Sequence, residues 1–306
     1  MQKIIQKIRN ILPLSLRQKI GPYVAYVVYF FKVYVLVNRK RPHVLSLDET
    51  LNVIKKENLS VIRFGDGEMS SIASHDLPFQ KKDSQMAEKL LSVLKSDHKG
   101  LLICIPGIFE KLSHFTKTSF WFTLHHLFKY GHLWNEYLHH KKTYGDAFIT
   151  RPYLTYKDKS HSVQIFNKMI SLWNDKDVIL VEGSKSRLGV GNDLFNKASS
   201  LGRILCPPEN AYSKYNEIRN EILKVSKDKL ILLSVGPTAK ILAYDLFLLG
   251  YRVLDIGHID MEYEMFLRKE NGLVKVKYKY FNEIEEREPE ECTDPAYLSQ
   301  ILAKII

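Results

Sequence analysis

The sequence predicts an α/β fold, a mainly parallel sheet flanked by helices and preceded by a basic, apolar helical arm. Three observations predict it. From residue 46 onwards, short apolar runs of strand length alternate with longer helix-like segments, the pattern of successive βα units. The runs are apolar on both faces, as in strands covered on two sides. Polar, glycine-containing motifs follow several of them, where an open parallel sheet keeps its ligand crevice. A chain of 306 residues, 45% of them hydrophobic, can bury a core of that size. The organisation expected is an arm, residues 1–44, and a body, residues 45–306.

Taken in order, the arm comes first. Residues 1–45 hold nine Lys or Arg and no Asp or Glu, whereas the rest of the chain holds 36 basic and 34 acidic residues. Residues 1–20 space Ile4, Ile5, Ile8, Ile11 and Leu12 among cations, a basic amphipathic helix interrupted at Pro13. Residues 23–37 are strongly apolar, with four tyrosines and Lys32. That is short for a membrane span and lacks a signal-peptide cleavage pattern. Two readings stand: an interfacial segment drawn to an anionic membrane surface through residues 1–40, or helices packed on the body or on a second subunit of a homodimer. The nearly neutral body argues against a nucleic-acid partner. Cys104, Cys206 and Cys292 are scattered without metal-like spacing, which fits a reducing, cytoplasmic setting, on the inner face of the membrane if the arm binds lipid.

In the body, residues 46–57 read as a helix with Ser46 as N-cap and Glu49 three residues on. Residues 60–64 are the first strand, 84–96 a helix, and 101–105 a strand stopped by Pro106-Gly107. Residues 114–140, aromatic and rich in histidine, form a long helix. Residues 147–150 are a short strand, 160–173 a helix and 177–181 a buried strand. A helix over 192–200, a strand over 203–206 and a helix over 211–226 follow. Residues 230–235 are the most strand-like run, leading through Gly236-Pro237-Thr238 into a helix ending near Leu249. Residues 252–256 form another strand. Residues 273–281 alternate Val274, Val276, Tyr278 and Tyr280 with lysines, which predicts an edge strand or hairpin arm, and 294–304 a closing helix.

The motifs carry the chemistry. Arg63-Phe64-Gly65-Asp66-Gly67-Glu68 puts two carboxylates with glycine neighbours at a strand tip. They suit Mg²⁺ or Mn²⁺ bridging a diphosphate, or a plain polar turn. Arg63 is placed to clamp a phosphate or a carboxylate. Residues 182–193 join a strand to a helix with Ser184, Lys185, Arg187, Gly189 and Gly191. They offer a phosphate site at a helix N-terminus or a capped βα loop, but neither a P-loop nor a dinucleotide fingerprint. Gly236, Pro237 and Thr238 offer close backbone approach, a preorganised first turn and a hydroxyl, or an ordinary helix start. Asp255, His258, Asp260 and Glu262 could supply a metal ligand, a base or a ribose contact, while Glu264 reads as a solvated residue. Arg151 after a strand adds a basic contact. The histidines of 114–140 read as a solvated or partly buried face, with a groove for a sugar or lipid acceptor as the other reading. Together the motifs point to a metal-assisted enzyme acting on a nucleotide-activated substrate.

Ile62 to Glu68, Gly236-Pro237-Thr238-Ala239 and Asp255-Ile256-Gly257-His258-Ile259-Asp260-x-Glu262-Tyr263 resemble the bacterial GT-D-type glycosyltransferases, once catalogued only as a domain of unknown function. The resemblance covers residues 45–285 and leaves out the arm. It implies a Rossmann-like GT-D fold and transfer of a sugar from a nucleotide donor, most simply a UDP-sugar, in capsular polysaccharide, exopolysaccharide or glycoprotein assembly. The acceptor would be a saccharide, free or lipid-linked. The resemblance implies that Asp66 and Glu68 serve the metal (Mn²⁺ or Mg²⁺) and the diphosphate, with His258 as a further ligand. It makes Asp260 the candidate base at the acceptor hydroxyl. Arg63, Gly65, Arg151, Ser184, Arg187, Gly236, Pro237, Thr238, Asp255 and His258 would contact the donor. Two rival readings are a metal-dependent nucleotide-sugar or phosphoester hydrolase, and a non-catalytic membrane-associated subunit of a polysaccharide-assembly complex.

Overall fold

The structure is a computed structural model and describes residues 41–109, 112–281, 283 and 288–306. The expected arm helices lie outside these residues. In chain order the elements are β1 (His43–Val44), α1 (Leu47–Glu57), β2 (Ser60–Arg63), α2 (Asp66–Ile72), α3 (Ser84–Lys95), β3 (Leu101–Ile105), α4 (Lys117–Tyr137) and β4 (Thr143–Asp146). There follow α5 (Ser162–Ile170), β5 (Asp177–Gly183), β6 (Ser200–Cys206), α6 (Tyr215–Ile222), β7 (Leu230–Ser234), α7 (Thr238–Leu248), β8 (Val253–Asp255), α8 (Ile259–Arg268), α9 (Pro295–Ser299) and β9 (Ile301–Lys304). Among the described residues the strands form one sheet in the order β1-β4-β3-β2-β8-β7-β5-β6-β9. Every pairing in it is parallel.

The alternation along each strand builds two cores. Ile62, Ile103, Ile179, Val181 and Ile231 pack on one face under α3, α4, α6 and α7. Val61, Leu102, Val178, Leu180 and Leu232 pack on the other under α1, α5 and α8. Burying both faces is why these strands read as continuous apolar runs. The chain leaves β2 towards the first face, through α2 and α3, and leaves β8 towards the second, through α8. Two adjacent strands whose connections part to opposite faces open a crevice at their carboxyl ends, the usual ligand position in such sheets.

Local chemistry sets the element ends. Ser46 caps α1 in a full capping box with Glu49, as its spacing requires. Four expectations are corrected. Residues 147–150 form a 3-10 turn, because the Asp146 side chain takes the Phe148 N–H at 2.8 Å; the strand lies just before, at β4. Residues 192–200 make no helix. The Asn192 side chain accepts from Leu194 N, and the Trp173 indole donates to the Leu194 carbonyl, which leaves only i→i+3 turns. Residues 273–281 pair with no strand: Tyr278 sits at φ +68° and Lys279 turns inward to bury its ammonium. The closing helix is the short α9, after which the chain becomes β9, the edge strand on β6.

Candidate active site

The crevice between β2 and β8 is floored by buried charge. Arg63, the last residue of β2, donates from Nε to the Asp255 carbonyl at 2.8 Å and pairs with Asp255 Oδ1 at 3.2 Å. Its remaining guanidinium nitrogen reaches Thr150 Oγ1 at 2.7 Å and the Ala147 carbonyl. Arg63 therefore ties the ends of β2, β8 and β4 together and serves as a carboxylate clamp. Asp255 and Glu68 share Lys240, in the first turn of α7: Nζ lies 3.0 Å from Glu68 Oε1 and 3.1 Å from Asp255 Oδ2. Its third donor reaches the Gly236 carbonyl at 3.3 Å. Burial works to raise the Asp255 pKa, but Arg63 and Lys240 outweigh it and hold the carboxyl below its ordinary value. Burial likewise pulls the Lys240 ammonium down, and its two carboxylates push it above the usual range. Asp255 and Lys240 therefore stay ionised.

Glycine is required where the chain crosses this floor. Gly257 has φ +45°, and a Cβ there would lie 2.0 Å from Arg63 Nη2. Gly236, at φ +57°, lets β7 turn into α7 against Phe79. Ser234 locks the two loops by donating to the Gly257 carbonyl at 2.9 Å.

Above the floor, Asp66 opens α2. Glu68 points back and accepts from Gly65 N at 2.7 Å, so its oxygens are held by that N–H and by Lys240. Asp66 is exposed, yet protein surrounds it, as on the wall of a cleft. That crowding raises its pKa against the pull of Arg151 and of its own helix N–H groups. Arg151 faces the same space and pairs with Glu283. Burial disfavours the Arg151 charge, but Glu283, Glu262 and Asp66 raise its pKa. His258 completes the wall edge-on to Phe281, with ring centroids 5.3 Å apart. Burial, then the positive charge of Arg151, brings His258 down to about 4, so the ring is neutral at physiological pH. At the end of β4, Asp146 is buried and accepts from Phe148 N and Gly107 N; desolvation raises it to about 7.

The structure thus gathers Arg63, Gly65, Asp66, Glu68, Arg151, Gly236, Pro237, Asp255 and His258 around one crevice. Thr238 lies beside it but is fully buried, its hydroxyl sealed from solvent and without a hydrogen-bond partner. Three residues lie elsewhere. Ser184 and Arg187 belong to the β5–β6 loop, where Ser184 N bonds to the Cys206 carbonyl and Arg187 reaches the Tyr278 carbonyl at 2.7 Å. Asp260 is 2% exposed and holds that loop from α8. Its oxygens take Gly189 N at 2.8 Å, Asn192 Nδ2 at 2.8 Å and Lys279 Nζ at 2.7 Å. Such a carboxylate does not face the crevice. Glu264, expected in solvent, is buried in the same cluster against Lys279 and Asn192. Glu262 is buried too, accepting from Tyr153 N and Leu154 N and so fixing the loop that carries Arg151. Sequence reasoning missed Lys240, Thr150, Asp146, Phe281 and Glu283. Lys240 stands four residues after Gly236, a spacing that returns a side chain over the first turn of a helix, and this was the one readable signal.

Among the described residues no three His, Cys, Asp or Glu side chains gather as a ready metal shell. Asp66, Glu68 and His258 are therefore not a preformed triad, because Glu68 is committed to Gly65 N and Lys240. One accessible carboxylate is nevertheless the usual protein share of a Mg²⁺-type site whose other ligands are substrate phosphates and water. Asp66 fits that pattern.

The sequence matches the family described as "Glycosyltransferase GT-D fold" over residues 61–284. It is 39% identical over 267 residues to "Glycosyltransferase GlyD" of Streptococcus pneumoniae, covering 86% of this chain and 32% of that protein. It is 41% identical over 268 residues to "Probable glycosyl transferase Gly" of Streptococcus gordonii, covering 86% of this chain and 39% of that one. The chain thus spans about a third of the length of one of these curated relatives and about two fifths of the other. A solved structure described as showing that domain of unknown function 1792 "has a distinct glycosyltransferase fold" superposes with a TM-score of 0.85. That structure is 37% identical and covers 91% of this chain and 100% of its own. A structure described as a new glycosyltransferase from Streptococcus sanguinis gives 0.83 at 39% identity, covering 87% and 100%. On fold, motifs and likeness together, this chain belongs to the GT-D family of glycosyltransferases.

Proposed function

We propose that this protein transfers a sugar from a nucleotide donor, a UDP-sugar, to a saccharide acceptor in cell-surface polysaccharide or glycoconjugate assembly. The observation that carries the reading is the wall of the crevice: an accessible Asp66 at a helix N-terminus, facing Arg151 and a neutral His258. Each group has a task. Arg151 binds a donor phosphate oxygen, where a charge-assisted bond is strongest. His258, neutral, hydrogen-bonds to the donor without adding charge. Asp66 would hold a divalent ion, Mn²⁺ or Mg²⁺, which when bound would supply positive charge against the leaving diphosphate. Glu68, Lys240, Asp255 and Arg63 form a locked base beneath them, so the donor groups need little reorganisation. Asp260 is assigned to holding the β5–β6 loop, not to accepting a proton. The acceptor reaches the site at the inner membrane face, with residues 1–40 drawn to the anionic surface there.

The test is turnover with a panel of UDP-sugars, following UDP release and glycosylated product with and without saccharide acceptors. Product formation that requires acceptor supports the proposal. Equal UDP release without acceptor makes the protein a nucleotide-sugar hydrolase. No turnover with any donor, together with stable binding to an assembly partner, makes it a non-catalytic subunit.

A further inference from the structure

No helix among the described residues is long and apolar enough to cross a membrane, yet α4 carries a face suited to lying on one. The helix connects β3 to β4, strands that pair in parallel, so its N-terminus lies at the carboxyl edge of the sheet. It is fastened there to the loop that bears Arg151: Thr116 N donates to the Thr155 carbonyl at 3.0 Å, and Phe115 bridges Tyr156. Leu124, Leu127, Tyr130 and Trp134 point into the core. The opposite stripe is exposed and runs Lys117, Trp121, Phe122, His125, Lys129 and His132. At 100° per residue these six fall within less than half the helix circumference.

Two properties of the stripe select its partner. Trp121 is 47% and Phe122 57% exposed, and they are the exposed large aromatics among the described residues. From Lys117 to His132 the charge on the stripe has one sign, residues 111–135 containing no Asp or Glu; exposed Glu136, in the last turn of the helix, is the acid that ends it. Exposed Lys157, whose ammonium bonds to the Ser113 carbonyl, adds a cation beside the helix start; Asp158, bonded to Ser160, follows it. Aromatics that sit at a headgroup boundary beside lysines that favour anionic lipid are the composition of an interfacial helix. We infer that the exposed face of α4 rests on an anionic lipid surface. This contact is separate from any made by residues 1–40, and it turns the rim beside Arg151 towards the bilayer.

The chain contains its own reporter. Of its three tryptophans, Trp134 and Trp173 are fully buried and Trp121 is exposed, and residues 1–40 contain none. The full-length protein is mixed with phosphatidylglycerol vesicles and, separately, with phosphatidylcholine vesicles, while tryptophan emission and acrylamide quenching are followed. With the anionic vesicles, emission moves to shorter wavelength and quenching falls to the level of the buried pair; with the neutral ones neither changes. Lys117→Ala and Lys129→Ala, which keep the reporter, each weaken the partitioning read by Trp121 by roughly fivefold, and Phe122→Ser weakens it further. Vesicles that sediment the protein while Trp121 stays quenchable would show that another segment binds and would overturn the inference. Equal shifts on both lipids, unaffected by the lysine substitutions, would overturn it as well. So would a Trp121 shift caused by a soluble saccharide and not by vesicles.

Discussion

Lys240→Met removes the cation shared by Glu68 and Asp255 while keeping a side chain of similar length. Both carboxylates are nearly sealed, with 10% and 0% of their side-chain surface exposed, and the ammonium retains 7%. Removing one partner of a buried pair destabilises by about 3–5 kcal/mol because a charge is left uncompensated. Here Asp255 keeps Arg63 and Glu68 keeps the Gly65 N–H, so the lower end applies, about 3 kcal/mol. For a domain of this size that lowers Tm by roughly 6 °C. The assay is urea unfolding of wild type, Lys240→Met, Glu68→Gln and the double variant. The urea slope should stay constant. The double variant should be less destabilised than the two single losses summed, since Glu68→Gln removes the charge that Lys240→Met strands. Additive losses, or a Lys240→Met midpoint equal to wild type, would refute the idea that this lysine locks the crevice floor.

Gly257→Ala should cost roughly 3 kcal/mol or more, left-handed strain plus displacement of Arg63. Gly250→Ala, at φ +87° with nothing within 4 Å of its Cβ, should cost only the strain, about 1–2 kcal/mol; equal midpoints for the two would refute the contact with Arg63. Asp146 keeps its proton to about pH 7 when folded and loses it near 3.8 when unfolded. Its contribution is thus complete below pH 3.8 and is lost as pH rises to 7, a decline of roughly 4 kcal/mol. Asp146→Asn should flatten that part of the stability profile measured by urea unfolding from pH 4 to 8, and an unchanged slope would contradict the assignment. Asp260→Asn should lower stability by roughly 2–3 kcal/mol yet leave kcat of the folded enzyme within about threefold. A fall of roughly 10²-fold or more would restore it as the base.

The framework was legible because both faces of the sheet are buried. Runs such as Leu230–Ser234 have no polar face, and the intervening helices show their own period. Two of the misreadings, at 192–200 and 273–281, share one cause, side chains whose partners lie far along the sequence. Lys279 breaks the alternation of 273–281 because Asp260 and Glu264, some fifteen to nineteen residues away, pull it inward. Asn192 looked like a helix cap but is taken by Asp260 and Glu264 from α8.

The site divides in the same way. Its backbone requirement was visible at Gly236 but not at Gly257, and its first-turn carboxylates were visible as Asp66 and Glu68. Which carboxylate stays accessible was not, because that depends on Lys240 claiming Glu68 from the first turn of α7. Arg63 illustrates the limit: its type announced a clamp, and only the fold decided that it grips Asp255. A charged residue in a motif thus reveals that charge is needed there, while its role follows from which opposite charges the sheet order brings beside it.

Calorimetry of UDP binding, with and without Mn²⁺, on wild type and on Asp66→Asn tests the central claim most directly. The account predicts binding that depends on the metal in the wild type and weakens at least tenfold in the variant, with the unfolding midpoint of Asp66→Asn unchanged. UDP binding of equal strength with and without Mn²⁺, and equal in Asp66→Asn, would contradict it.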